Sequence, residues 1–191
     1  MRGYFGVGVE RISKPMNAGS IFRTAHAFGA SFVFTLAAAY PQEEGRRADT
    51  SHAPGQIPFY SFPGLDSLVL PEDCALVGVE LTEEAVELPS FRHPRQAAYV
   101  LGPERGALSA GLTARCAHVV KIPTRFSVNV GIAAAIVLYD RLISLGRFAR
   151  RPEIPGGAIE PLPEHVFGAP KLRSRVEQFR AAPPLEGPEV D

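Results

Sequence analysis

The chain has 191 residues, of which 46% are hydrophobic and 21% are charged, and this composition is typical of a globular protein with a substantial core. The 20 basic and 20 acidic residues cancel, which argues against a domain held on nucleic acid by bulk positive charge alone. No apolar run reaches the ~18 residues that a membrane-spanning helix needs, and residues 1–9 do not make a secretory signal. We therefore expect a cytoplasmic protein that does not enter a membrane.

The first half of the chain alternates between extended and helical patterns. Tyr4–Val9 predicts a first strand, and a helix is predicted from a cap at Asn17 or Ser20 to about Phe28, with Gly29 ending it. The next segments are predicted as a buried strand, a charged loop, an extended piece, a helical turn and a second buried strand: Ser31–Ala37, Pro41–Asp49, Pro54–Pro63, Leu65–Leu68 and Cys74–Leu81.

The second half continues the alternation after a polar stretch at Glu83–Arg95. Two further strands and two further helices are predicted: Ala97–Leu101, His118–Ile122, Ser109–Cys116 and Val128–Leu145. Strands that are continuously apolar and alternate with helices are typical of a sheet covered on both faces. The sequence therefore predicts an α/β fold with a mostly parallel sheet and helices on both faces.

The composition changes from Arg151 onward. Eight of the last 41 residues are proline, and the apolar periodicity fades. We expect a folded domain over residues 1–150 and a proline-rich, flexible tail over residues 151–191. Within the tail, the pattern of Lys171–Ala181 is compatible with one basic amphipathic helix.

Common nucleotide and metal signatures are missing from the sequence. Gly6 and Gly8 form only part of a dinucleotide fingerprint, because no third glycine opens a helix at the required spacing. This disfavours a Rossmann-like nucleotide enzyme, and a glycine-spaced strand is the better interpretation. The five histidines are scattered without the spacing of a zinc site, so no metal is expected.

Three segments place polar residues at the ends of apolar elements. They are residues 17–29 (NAGSIFRTAHAFG), 99–109 (YVLGPERGALS) and 122–139 (IPTRFSVNVGIAAAIVLY). The second and third segments follow predicted strands. Because ligands of open α/β sheets gather at the carboxyl ends of the strands, we expect these loops to converge on one site.

These segments resemble the three signature motifs of the SpoU family, within the SPOUT superfamily of methyltransferases. The residues that carry the resemblance are Asn17, Gly19 and Arg23 in the first motif, Gly102 and Glu104 in the second, and Ile122, Pro123, Ser127 and Asn129 in the third. The resemblance covers roughly residues 3–150. The sequence departs from it in two small ways, with Ala107 where glycine is common and Val128 where leucine is common.

The resemblance implies a fold and a cofactor. The fold is an α/β knot, with a C-terminal trefoil knot over about Tyr99–Leu145, which is an exception to the rule that chains avoid knots. The cofactor is S-adenosyl-L-methionine, bound largely by backbone groups in an apolar slot. The residues assigned to it by the resemblance are Val79, Leu101, Gly102, Ile122, Ser127 and Val128.

The resemblance also implies roles for five catalytic-site residues: Arg23, Asn17, Glu104, Ser127 and Asn129. Arg23 would orient the acceptor hydroxyl and stabilise the alkoxide that forms from it, since a guanidinium is a poor base. Glu104 would hold Asn17 or a backbone amide and so shape the pocket. Ser127 and Asn129 open a helix, where each can act as a cap, as a substrate contact or as both.

The expected reaction is methyl transfer to a ribose 2′-hydroxyl of structured RNA, with tRNA favoured over rRNA on family analogy alone. The alternative is a knotted protein that binds RNA or the cofactor without turnover; the presence of all five motif residues favours the enzyme. The helix at Val128–Leu145 is apolar nearly all round, so we expect a second copy of the chain to cover it, and the family's active site borrows groups from both subunits. Basic loop residues are candidate RNA contacts: Arg46, Arg47, Arg92, His93, Arg95 and Arg125.

Overall fold

The described part of the chain forms one seven-stranded sheet in which every pairing is parallel. The computed structural model describes residues 3–39 and 56–162. The strands are β1 (Tyr4–Glu10), β2 (Phe32–Leu36), β3 (Phe59–Phe62), β4 (Ala75–Val79), β5 (Val86–Glu87), β6 (Gln96–Leu101) and β7 (His118–Lys121). Their order in the sheet is β3-β2-β1-β6-β4-β7-β5, so β6 lies at the centre with β1 and β4 beside it.

Helices cover both faces of the sheet, as the sequence predicts. They are α1 (Pro15–Ala27), α2 (Ala110–Arg115) and α3 (Val130–Leu145), with single 3₁₀ turns at Leu65–Ser67 and Leu88–Ser90. Buried residues of α1 and α3 form one hydrophobic cluster with alternate residues of β1 and β6, and Leu112 of α2 joins a second cluster with the other residues of β6. Because side chains alternate along a strand, the two clusters lie on opposite faces. The predicted α/β class is therefore confirmed.

The glycines of β1 have a packing role. A Cβ added at Gly6 would collide with the ring of Phe32, and one added at Gly8 would collide with the ring of Phe34. Phe32 and Phe34 are the register partners of these glycines on β2. The glycine spacing of β1 thus makes room for two phenyl rings, which supports the strand interpretation of this segment.

The predicted start of α1 is wrong. The helix begins at Pro15 with Lys14 as the N-cap residue, and no side chain caps it. Proline is well suited to the first helical position because it has no N–H to satisfy. Asn17 and Ser20 lie inside the helix. The end of α1 is as predicted, with Gly29 just beyond it at a φ of +76°.

The third helix begins two residues later than predicted, because the Asn129 side chain caps it by accepting a hydrogen bond from the Gly131 N–H at 2.9 Å. The second helix lies where the sequence predicts it, and Ser109 caps it with a hydroxyl that accepts a hydrogen bond from the Leu112 N–H. The sequence pattern places Ser109 inside this helix instead. The trefoil knot expected over about Tyr99–Leu145 stays a prediction.

The chain divides into two units after Arg147. Residues 148–162 contain no helix or strand, and most of them are exposed. The predicted loop at Pro41–Asp49 and the predicted helix at Lys171–Ala181 lie outside the described residues, and the flexible tail stays a prediction. Within the described ranges, no helix is long and apolar enough to cross a bilayer.

Candidate functional site

A cavity of about 320 Å³ lies at the carboxyl ends of β4, β6 and β7. Its walls come from the residues that follow each of these strands and from the first turns of α1 and α3. The lining residues are Lys14, Asn17, Val79, Glu80, Leu81, Leu101, Gly102, Pro103, Glu104, Gly106, Ile122, Thr124, Ser127, Val128, Asn129, Val130 and Ala133. This is the edge of a parallel sheet where ligands bind in open α/β folds.

The structure brings together most of the residues singled out in the sequence. All six residues that the resemblance assigns to the cofactor line the cavity, and so do Asn17, Glu104, Ser127 and Asn129. Arg23 does not. It is exposed on α1, six residues beyond Asn17, which is about 9 Å further along the helix axis.

Glu104 joins the loop after β6 to the start of α1. One carboxylate oxygen accepts hydrogen bonds from the Lys14 N–H and the Asn17 amide, each at 3.0 Å, and the other accepts from the Ser13 N–H and hydroxyl, each at 3.1 Å. Burial raises the pKa of Glu104, but the bonds from Asn17 and the backbone amides outweigh it and hold the pKa below its ordinary value. The residue is therefore a carboxylate at neutral pH.

Asn17 extends this hydrogen-bonded chain to the third motif. Its Nδ2 donates to Glu104, so its Oδ1 is left to accept from Nδ2 of Asn129 at 3.3 Å. Asn129 then accepts from the Gly131 N–H with its own Oδ1. Because a carboxylate can only accept, Glu104 sets the orientation of both amides. One polar chain thus links the three motifs.

Two further glutamates hold the loop Gly102–Ser109, and sequence reasoning missed both. Glu10 ends β1 and accepts from the Ser109 N–H at 2.7 Å and from the Ser109 hydroxyl. Glu80 follows β4 and accepts from the Leu108 N–H at 2.8 Å. Since β1 and β4 flank β6, the loop that leaves β6 is held from both sides.

The sequence did contain a signal for this pair. The tetrapeptide Val-Gly-Val-Glu occurs twice, at residues 7–10 and 77–80, and each copy carries its glutamate at the carboxyl end of a buried strand. A charged residue repeated at the end of two parallel strands indicates two side chains that converge on the same edge.

Three of the basic residues named as candidate RNA contacts, Arg92, His93 and Arg95, lie away from the three motifs. They precede β6, so they lie at the amino edge of the sheet, opposite the cavity. His93 is buried between the Tyr99 hydroxyl, at 2.6 Å, and the Asp140 carboxylate, at 2.8 Å, so it is a packing residue. Arg46 and Arg47 lie outside the described residues. Arg125 is exposed beside a second, shallower cavity that adjoins the first.

The described residues contain no group of three or more His, Cys, Asp or Glu arranged to hold a metal ion. The class of protein is set by the fold and the cavity: a parallel α/β sheet covered by helices on both faces, with a cavity at its carboxyl edge. The SpoU rRNA methylase family model matches residues 5–139. The chain belongs to this family.

Comparison with solved structures gives the same fold. The SpoU methyltransferase AviRb from Streptomyces viridochromogenes aligns with a TM-score of 0.63 at 24% identity, over 73% of this chain and 59% of its own. An AdoMet-bound rRNA methyltransferase from Sinorhizobium meliloti aligns with a TM-score of 0.67 at 23% identity, over 76% of this chain and 58% of its own.

A third structure, described for 2-OH methylation of C/U34 on tRNA, aligns with a TM-score of 0.64 at 23% identity, over 76% of this chain and 92% of its own. The chain thus spans less than two thirds of the length of the AviRb and S. meliloti proteins. No curated protein sequence matches the chain significantly.

Proposed function

We propose that this protein is an S-adenosylmethionine-dependent methyltransferase that acts on a ribose 2′-hydroxyl of structured RNA, with tRNA favoured and rRNA possible. One observation carries the proposal: the six residues assigned to the cofactor from the sequence line a single cavity, and a polar chain from Glu104 to Asn129 braces that cavity. The AdoMet-bound S. meliloti structure and the structure for C/U34 methylation support the cofactor and the acceptor.

The cavity suits the cofactor in size and chemistry. Its volume of about 320 Å³ lies within the range of small-molecule sites. Leu101, Ile122 and Val128 supply apolar walls, and the loops around Gly102 and Ser127 offer backbone donors and acceptors, which together suit a neutral adenine. S-adenosylmethionine, when bound, supplies a methyl group on a positively charged sulfur.

The protein's own residues then have to position an acceptor. We assign Arg23 to the ribose hydroxyl and a nearby phosphate, because its planar guanidinium can bind both at once. Its charge would stabilise the alkoxide that forms when solvent water takes the hydroxyl proton. Asn17, Glu104 and Asn129 hold the two cavity loops and α1 in register, so that most of the acceleration comes from fixed geometry. Ser127 would contact the cofactor or the acceptor.

We also propose that the protein is a homodimer through α3. Four exposed apolar side chains on this helix are spaced by four, three and four residues: Ile132 (54% exposed), Ile136 (36%), Tyr139 (53%) and Ile143 (36%). At 100° per residue they form one stripe on the side opposite the buried face of α3, which contains Val130, Ala134, Val137 and Arg141. A second copy would cover this stripe and bring a second α1 toward the site.

The acceptor is identified by a transfer assay. The purified protein is incubated with S-adenosylmethionine carrying a tritiated methyl group and, separately, with unmodified tRNA and rRNA transcripts. Incorporation of tritium into RNA would support the proposal that the protein is a methyltransferase, and the transcript that carries the label would be identified as the substrate. Cofactor binding without transfer to either RNA would instead favour the non-catalytic alternative.

The cytoplasmic location expected from the sequence stays a prediction.

A further inference from the structure

We propose that the Glu80 side chain binds the cofactor directly: it accepts a hydrogen bond from a ribose hydroxyl or from the ammonium group of S-adenosylmethionine while it fixes the loop Gly102–Ser109. The proposal rests on the proposed function, because it assigns one more residue of the same cavity. Glu80 lies outside the three motifs that carry the family resemblance.

The carboxylate of Glu80 lies at the wall of the cavity. The residue is half-buried and lines the cavity, and a Cβ added at Gly102, another lining residue, would lie 3.2 Å from its Oε2. Oε2 accepts from the Leu108 N–H at 2.8 Å, and Oε1 accepts from the Leu81 N–H at 3.0 Å. Glycine at position 102 therefore leaves room for a carboxylate between two backbone segments of the site.

Glu80 can accept further hydrogen bonds, whereas Glu104 and Glu10 at the same edge of the sheet are already occupied. An ionised carboxylate can accept about four hydrogen bonds. Glu104 already accepts four, all from the start of α1. Glu10 is 4% exposed, is occupied by Ser109 and does not line the cavity. From the described residues Glu80 accepts two, one on each oxygen, so within that part of the chain each oxygen keeps a lone pair for a ligand.

The cofactor has donors that suit such a carboxylate. Its ribose carries two adjacent hydroxyls, and its amino-acid portion carries an ammonium group. Either would form a charge-assisted hydrogen bond with a carboxylate, which is the stronger kind. The shared chemistry is an O–H or N–H donor, and ligand analogues separate the two sources.

The test measures dissociation constants by calorimetry for the wild type, Glu80→Gln and Glu80→Ala, with Glu84→Gln as a charge-matched control at an exposed position that does not line the cavity. Glutamine keeps one acceptor for Leu108 but replaces the second oxygen with a donor. We expect Kd for S-adenosylhomocysteine to rise about tenfold or more in Glu80→Ala and less in Glu80→Gln, with no change in Glu84→Gln.

Coupling to the ligand separates binding from loop fixing. The same variants are titrated with 5′-methylthioadenosine, which lacks the ammonium, and with 2′-deoxy and 3′-deoxy forms of S-adenosylhomocysteine. If Glu80 binds the cofactor, the fold-loss shrinks for the analogue that lacks its partner group, and that analogue names the group. Equal fold-losses for every ligand, or none, would overturn the proposal. Failure of the wild type to bind any of the ligands would instead remove the proposed function and this inference with it.

Discussion

Among the single residues of the site, Glu104 is decisive because its carboxylate can accept hydrogen bonds but cannot donate them. Glu104 accepts from Asn17, which fixes the direction of the Asn17 amide and, through it, that of Asn129. A carboxylate needs no rotation to keep this role, whereas an amide in its place can present a donor to a donor. The role of Glu104 is therefore best explained by its effect on the other two motifs: it fixes the direction in which the Asn17 and Asn129 amides point.

Arg23→Ala is expected to abolish most methyl transfer while cofactor affinity stays nearly unchanged. Arg23 lies on α1 outside the residues that line the cavity, and the contact assigned to it forms chiefly in the transition state. Loss of such a contact lowers the rate by about a hundred- to a thousandfold. Single-turnover methylation with parallel cofactor titration checks this. Arg23→Lys should recover little, because lysine lacks the planar fork. Normal turnover, or lost cofactor binding, would remove Arg23 from the acceptor side.

Gly102→Ala is expected to weaken cofactor binding without unfolding the protein. The new methyl group would lie 3.2 Å from Glu80 Oε2 and 3.3 Å from the Leu108 nitrogen, so the carboxylate and the loop must both shift. Gly64→Ala is the matched control, since a Cβ there meets nothing within 4 Å. Calorimetry and thermal melts of both variants measure the two effects. A Gly102→Ala protein with the wild-type Kd would show that the close approach of Glu80 and Leu108 to position 102 does not matter for cofactor binding.

Among the secondary-structure elements, the loop after β6 is anchored by its neighbours on both sides. Carboxylates at the ends of β1 and β4 hold its last two residues, and Glu104 within it holds α1. Sequence patterns located this loop and the strands around it. They did not predict the anchors, because Glu10 and Glu80 lie 99 and 28 residues from their partners.

The same limit explains the error at the start of α1. Asn17 resembles a helix cap by local pattern, but its amide is used by a carboxylate 87 residues away. Pro15 and the extended backbone of Lys14 set the helix start instead. Asn129, whose cap is a local contact, was correctly placed among the candidate caps. Local contacts can be predicted from one sequence, whereas long-range ones need the sheet order.

The α3 stripe predicts how the oligomeric state responds to charge. Ile136→Glu should shift the protein to a monomer, because a carboxylate in an apolar interface loses its hydration without gaining a partner. Ser144→Glu is a control on the same helix, at an exposed position about 100° away from the stripe. Sedimentation at micromolar concentration measures both. A wild type that sediments as a monomer, or an Ile136→Glu dimer, would contradict the proposed interface.

At the scale of the whole molecule, the two edges of the sheet differ in purpose. The carboxyl edge has the cavity, and the amino edge has a buried polar network that contains His93, Tyr99 and Arg141. Arg141 is 2% exposed and donates to the Tyr99 hydroxyl and to the backbone oxygens of Pro94 and Arg95. This network ties α3 to the start of β6, so it is a structural feature remote from the site.

The network predicts that the fold loses stability in mild acid. Burial lowers the pKa of His93, although the hydrogen bond to Asp140 partly opposes this. Below pH ~6.5 the unfolded chain therefore takes up a proton at His93 before the folded protein does, and stability falls as the pH drops from there toward the folded pKa. Melting temperatures from pH 8 to pH 5 test this. His93→Gln should show a shallower fall, and an equal slope would exclude His93 as its source.

The proposed transfer of a methyl group to a ribose 2′-hydroxyl is tested most directly by locating the methyl group within the product RNA. RNA labelled by the wild type with a tritiated methyl group is digested to nucleosides and, separately, hydrolysed in alkali. We expect the label in a 2′-O-methylnucleoside and in an alkali-resistant dinucleotide, with at least about a hundredfold less label from Arg23→Ala over the same short reaction time. Label on a base, or transfer that is undiminished in Arg23→Ala, would contradict the account.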